Sequence, residues 1–97
     1  MATYIQLLSW TEQGARAVKD SPTRLEAAKR AIKTLGGEFK SFYLTMGAYD
    51  AIAIYEAPSD DVAARFALGL AQGGNVRTQT LKAFTETEYR DILGSLK

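Results

Sequence analysis

Two segments of this chain alternate as β-strands do, yet carry large apolar residues on both of their faces. From Tyr4 to Trp10, the residues Ile5, Leu7 and Ser9 point one way, and Tyr4, Gln6, Leu8 and Trp10 the other. From Asp50 to Glu56, the set Ala51, Ala53 and Tyr55 alternates with Asp50, Ile52, Ile54 and Glu56. An antiparallel sheet wetted on one side shows polar residues there, and neither segment has such a side. A sheet built on these strands therefore needs cover twice. A chain of 97 residues is one domain, residues 1–97, and buries roughly two-thirds of its unfolded surface. The second cover is expected to be another copy, in a homodimer or a higher homo-oligomer.

The remaining elements follow from local signals. Tyr4 to Trp10 is strand one, and Thr11 to Ser21 reads as a long polar connection containing Gly14. Ser21-Pro22 announces a helix, with Ser as the cap and Pro at the first helical position. Leu25, Ala28, Ile32 and Leu35 give that helix its apolar stripe, and Gly36-Gly37 ends it. Phe39 to Met46 and Asp50 to Glu56 form strands two and three, joined closely enough for an antiparallel hairpin. Ser59 caps a second helix with Asp60 and Asp61 in its first turn, complementing the helix dipole. Val62, Phe66 and Leu70 form its buried stripe. Gly69 on the same side reads as a close approach to the sheet, and Gly73-Gly74 closes the helix. Asn75 to Phe84 is strand four, and Glu86 to Leu96 a terminal helix.

The order is thus βαββαβ plus a C-terminal helix, an α+β chain of ferredoxin-like type with its helices on one face. Tyr89, Ile92, Leu93 and Leu96 recur at helical spacing in the terminal helix. That stripe either covers its own subunit, as amphipathic helices usually do, or packs between dimers.

Composition narrows the chemistry. The sequence has no cysteine and no histidine, which removes disulfides, thiolate sites, the usual general base and the commonest metal ligand. No metal and no cofactor is expected. Lys+Arg 12 against Asp+Glu 11 leaves a net charge of +1, without the basic stripe of a nucleic-acid binder. The cluster Arg24, Lys29, Arg30 and Lys33 falls opposite an apolar stripe and reads as a solvated helix face. No apolar run spans a bilayer, so neither nucleic acid nor membrane is an expected partner, and a cytoplasmic address is the default.

Around one turn the chain gathers Tyr43, Leu44, Thr45, Met46, Gly47, Ala48, Tyr49 and Asp50. Gly47-Ala48-Tyr49-Asp50 resembles the motif that names the GYD domain family. The likeness extends to Trp10-Thr11-x-Gln13-Gly14, Lys19-Asp20-Ser21-Pro22-x-Arg24, Glu56-Ala57-Pro58, Gly74-Asn75-Val76-Arg77-Thr78-x-Thr80 and Ala83-Phe84. Several motifs in order over nearly the whole chain make the resemblance specific. It implies a dimeric α+β barrel, in which two ferredoxin-like sheets face each other. The strand-two hairpin is also similar to the effector-binding half of Lrp/AsnC-type regulators, although the chain has no room for their DNA-binding helix-turn-helix. The family carries no agreed catalytic residue to transfer.

Six residues are expected to line a site for a small anionic ligand: Trp10, Tyr43, Thr45, Tyr49, Asp50 and Arg77. Tyrosines and tryptophan would supply an apolar wall, Arg77 a charge clamp, Asp50 and Thr45 directional contacts. Asp50 has a plainer role open to it, accepting backbone N–H bonds in the turn, and Arg77 can instead pair with Asp50 or Glu56 within the oligomer. The glycine pair with Asn75 offers a weak anion nest, and Lys19 is a poor Schiff-base candidate because it needs a desolvated pocket. The sequence favours a binding or assembly module. The alternative is a cofactor-independent monooxygenase or isomerase with Asp50 as its base.

Overall fold

Strand β1 (Ala2–Trp10) is hydrogen-bonded along both edges, and the rest of the protein is hung on it. The computed structural model describes all 97 residues. After β1 come α1 (Glu12–Arg16), a 3-10 turn at Val18–Asp20, α2 (Ser21–Thr34), β2 (Glu38–Leu44), β3 (Ala51–Ala57), α3 (Asp60–Gln72), β4 (Val76–Ala83) and α4 (Glu86–Gly94). The sheet runs β2-β3-β1-β4 with every neighbouring pair antiparallel. This is the ferredoxin-like order expected from the sequence.

The core lies on the face that α2 and α3 cover. Tyr4 and Tyr55 stack at 5.5 Å between ring centroids, and Phe66 of α3 meets Tyr55 edge-on at 4.9 Å. Ile32, Ala57, Val62 and Ala63 complete the cluster. Ser59 caps α3 by accepting from the Val62 N–H at 3.3 Å. Tyr4 donates its phenolic hydrogen to Asp60, whose carboxylate also meets Lys82 at 3.1 Å. These two partners, Tyr4 first, hold the Asp60 carboxyl below its ordinary range. The same hydrogen bond pushes the Tyr4 phenol up to about 12, and burial does the same for Tyr55.

Several expectations change. The stretch after β1 is not an open loop, because Thr11 caps α1 by accepting from the Gly14 N–H at 3.1 Å. Helix α1 then presses on the turn before β4, where Thr11 donates to the carbonyls of Asn75 through its N–H and Gly74 through its hydroxyl. A methyl group on Gly14 would fall 1.9 Å from the Asn75 carbonyl oxygen. The N–H groups of the would-be anion nest are themselves engaged, Gly73 donating to the Leu70 carbonyl at 3.2 Å and Gly74 to that of Ala71 at 3.0 Å. The cap of α2 is Asp20 rather than Ser21, with no side-chain bond, since the preceding turn runs straight into the helix. Gly69 makes no close approach at all: a Cβ there would meet nothing within 4 Å.

Strand β2 contains a bulge that alternation alone does not reveal. Phe39 opposes Tyr55 and Ser41 opposes Ile54, which leaves Lys40 as the extra residue. Phe39 and Phe42 consequently share the helix-covered face, while Tyr43 turns to the other. Helix α4, capped by a reciprocal Thr85–Glu88 box, buries none of its residues. Its stripe does not cover its own subunit: Tyr89, Ile92, Leu93 and Leu96 are all exposed.

The two glycines generate opposite expectations. Gly14→Ala forces backbone apart and should cost on the order of 3 kcal/mol, whereas Gly69→Ala, in an open mid-helix position, should gain about 1 kcal/mol. Urea midpoints at unchanged slope would show it; a neutral Gly14→Ala would refute the α1 docking. The tyrosines set an alkaline limit. Unfolded chain releases phenolic protons near ~10, while Tyr4 and Tyr55 hold theirs to about 12. The unfolded state thus binds fewer protons between these values, so stability should fall as pH rises through them. Tyr55→Phe should flatten that decline in pH-jump unfolding.

Candidate functional site

Small residues on three walls keep the helices off the sheet. The floor is Ala51 and Ala53 of β3, one side is Ala27, Ala28 and Ala31 of α2, and the other is Gly69 of α3. Gly69 lies two turns from the buried Val62 and so points the same way. The result is an open cleft of about 710 Å³ between α2, α3 and the sheet, within the size range of small-molecule sites. Larger apolar groups, Leu8, Trp10, Phe39, Phe42, Phe66 and Leu70, line the rest of it.

Polar groups in this wall are few and incompletely satisfied. Gln6 is wholly buried; its amide nitrogen donates to Thr80 Oγ1 at 3.2 Å, while Oε1 has no partner. Arg24 donates from Nη1 to the Ala17 carbonyl at 3.1 Å, while its buried Nη2 has none. Buried polar atoms are nearly always paired, so these two are exceptions, as is the Tyr55 hydroxyl in the core. Sequence reasoning misses both. Spacing groups Arg24 with Lys29, Arg30 and Lys33 as solvated, but only those three are exposed. The place of Arg24 one turn before Ala28 of the apolar stripe is the available signal.

The six expected site residues divide between the two sides of the sheet. Trp10 and Asp50 line the cavity. Tyr43 is paired with Ile52, and Arg77 with Ser9, on the face that no helix covers. Tyr49 reaches β4 there, donating to Gln79 Oε1 at 2.7 Å. Arg77 takes part in no ion pair within the chain; Glu56 pairs with Lys40 at 3.7 Å. Thr45 stays in the turn, donating from its hydroxyl to the Tyr49 carbonyl at 2.7 Å. No cluster of three or more acidic residues converges for a metal.

The turn itself is built around Asp50. Gly47 takes φ 135°, a region that favours glycine. Asp50 Oδ2 accepts from the Trp10 N–H at 2.9 Å, and its own N–H donates to the Leu8 carbonyl at 2.8 Å. The carboxylate thereby satisfies the last backbone donor of β1, the turn role that Asp commonly plays.

Asp50→Ala should therefore destabilise the fold by about 1–3 kcal/mol by orphaning that donor, whereas Asp50→Asn, which keeps an acceptor, should cost clearly less. Thermal unfolding of both variants measures the difference. Equal losses would mean that the oxygen on Trp10 is not what matters.

Comparison with known proteins adds an identity to this geometry. The GYD domain model matches residues 4–93. A Thermus thermophilus protein named glutamine synthetase and cystathionine beta-lyase binding protein is 31% identical over 98 residues, covering 100% of both chains. A crystal structure from the same organism aligns with a TM-score of 0.50 and 28% identity, covering 88% of this chain and 95% of the other. No helix here is long and apolar enough to cross a membrane. With Gly47-Ala48-Tyr49-Asp50 forming the turn that ties β1 to β3, and the family model spanning the fold from β1 into α4, this chain belongs to the GYD domain family.

Proposed function

We propose that this protein is a self-associating binding module, in which two copies bury their uncovered sheet faces against each other and the pair docks on enzymes. One observation carries the reading: Ile5, Leu7, Ile52, Ile54 and Leu81 form an apolar centre on a face without helices. A second copy suits this face electrostatically. Its charged residues are Arg77 toward one end and Glu38, Lys40 and Glu56 toward the other, two of each sign. Stacking two such faces brings together apolar centres with no excess of like charge. In this reading Tyr43, Tyr49 and Arg77 belong to the self-association surface. Trp10 and Asp50 belong to the cavity, which would hold a small anionic ligand, and Thr45 braces the turn between them.

Docking on enzymes is supported by the name of the Thermus relative, carried to this chain as a proposal. Helix α4, with Tyr89, Ile92 and Leu93 exposed, is the surface assigned to that partner, in the manner of an amphipathic helix entering a groove. A cytoplasmic address goes with this role. A second reading, a cofactor-independent enzyme with Asp50 as base, draws on that carboxylate's place in the cavity wall. It rests otherwise on fold analogy, a weak guide to function.

Light scattering at micromolar concentration should give at least twice the chain mass of 10.6 kDa. Ile54→Lys should shift the protein to monomer while leaving the helix-side core intact. Purified glutamine synthetase from the same organism should bind the native chain in surface plasmon resonance and not Leu93→Glu. A native monomer would overturn the self-association, and absence of binding the choice of enzyme partner.

A further inference from the structure

The uncovered face of the sheet carries its charge at two opposite corners. Arg77 lies on β4 in register with Ser9 of β1. Glu38 lies on β2 opposite Glu56 of β3, which is in register with Thr3 of β1. From Thr3 to Ser9 is six residues, about 20 Å along the strand. Strands β2 and β4 are the two outer strands, three spacings or about 14 Å apart. Arg77 and Glu38 therefore mark the ends of a diagonal across the face.

The corners differ in sign. Arg77 is exposed and forms no ion pair within the chain. Asp50, just before β3, keeps its carboxylate on the Trp10 N–H. At the other corner the Lys40 ammonium lies 3.2 Å from Glu38 and 3.7 Å from Glu56. One cation shared by two carboxylates leaves a single negative charge there, against the single positive charge of Arg77.

The middle of the diagonal is apolar. Midway between Thr3 and Ser9 in register, Ile5 and Leu7 stand on the uncovered face, with Ile54 and Ile52 beside them on β3. Midway across, the diagonal crosses the seam between β3 and β1. The same quartet of side chains surrounds both midpoints. A two-fold axis through the quartet stacks it on its own copy, and in such an interface each contact is made twice, in reciprocal form. An axis along the diagonal would lay Arg77 on the partner's Arg77 and acid on acid. An axis across the diagonal lays each Arg77 on the partner's Glu38. Only the second arrangement gives the arginine an anion when the face closes, and an unpaired charge at a buried interface is costly.

We propose that two copies stack about a two-fold axis through the Ile5, Leu7, Ile52 and Ile54 quartet, with Arg77 of each copy paired to the partner's Glu38 at the opposite corner. The proposal deepens the self-association reading, on which it rests, by fixing the orientation of the two copies and the ion pair that selects it.

Charge reversal tests it, read as the dimer dissociation constant from sedimentation equilibrium. Arg77→Glu makes both corners negative and should weaken the dimer about a hundredfold, roughly tenfold for each of the two pairs lost. Adding Glu38→Arg to that variant inverts both corners and should restore most of the native affinity. Both side chains are exposed in the single chain, so the fold should persist, as circular dichroism checks. Because the chain has no cysteine, cross-linking gives a second readout. The double variant Arg77→Cys, Glu38→Cys should be joined into a covalent dimer by a short bismaleimide, and Arg77→Cys alone should not. A native chain that is monomeric in the same runs overturns the self-association reading and this arrangement with it. A native dimer indifferent to Arg77→Glu, or not restored by Glu38→Arg, overturns the arrangement alone. So does efficient cross-linking through Arg77→Cys by itself.

Discussion

A sheet with apolar residues on both faces must be covered twice, and this chain supplies helices for one face only. Most of the architecture follows from that imbalance. Helices α2 and α3 pack the Tyr4–Tyr55–Phe66 cluster on their side, while Ile5, Leu7, Ile52 and Ile54 remain opposite. Burial of apolar area is the main favourable term in folding and in association alike. That physics is satisfied on the helix side, whereas the opposite face stays apolar without helices over it.

The helix side is itself only partly filled. Where large rings meet, the layers close; where Ala51, Ala53 and Gly69 face the alanines of α2, they do not. A core packed for stability alone would place larger side chains at such positions, because well-packed interiors leave few voids. The space is a property of residue choice and does not come from strand order. Its two orphaned polar atoms, on Gln6 and Arg24, fit the same view.

Much of the fold is legible in the sequence because the signals are local. Alternation marks β1 and β3, and Ser59 with two following acids marks the start of α3. What escapes depends on contacts distant in the chain. Thr11 to Ser21 reads as a connection because nothing within it reveals that Asn75 and Gly74 lie ready to receive α1. Gly69 suggests close packing, since mid-helix glycine is costly, but a Cβ there would meet nothing within 4 Å, so no contact requires the glycine. Asp50 is legible as the key acid of the turn. That its partner is the Trp10 N–H, 40 residues away, is not. Tyr43 and Phe42 cannot be assigned to faces without the extra residue in β2, and that one residue decides which aromatic enters the cavity.

That extra residue has an effect on growth as well as on side-chain placement. Strand β2 is one of the two outer strands, and unpaired outer strands invite further strands to add in register. Lys40 interrupts the ladder there, and its ammonium lies 3.2 Å from the Glu38 carboxylate. A kinked, charged margin is a poor template for another backbone. Lateral extension into ribbons is thereby discouraged on that margin, so an added strand would find a straight template only along β4, the outer strand at the opposite side of the sheet.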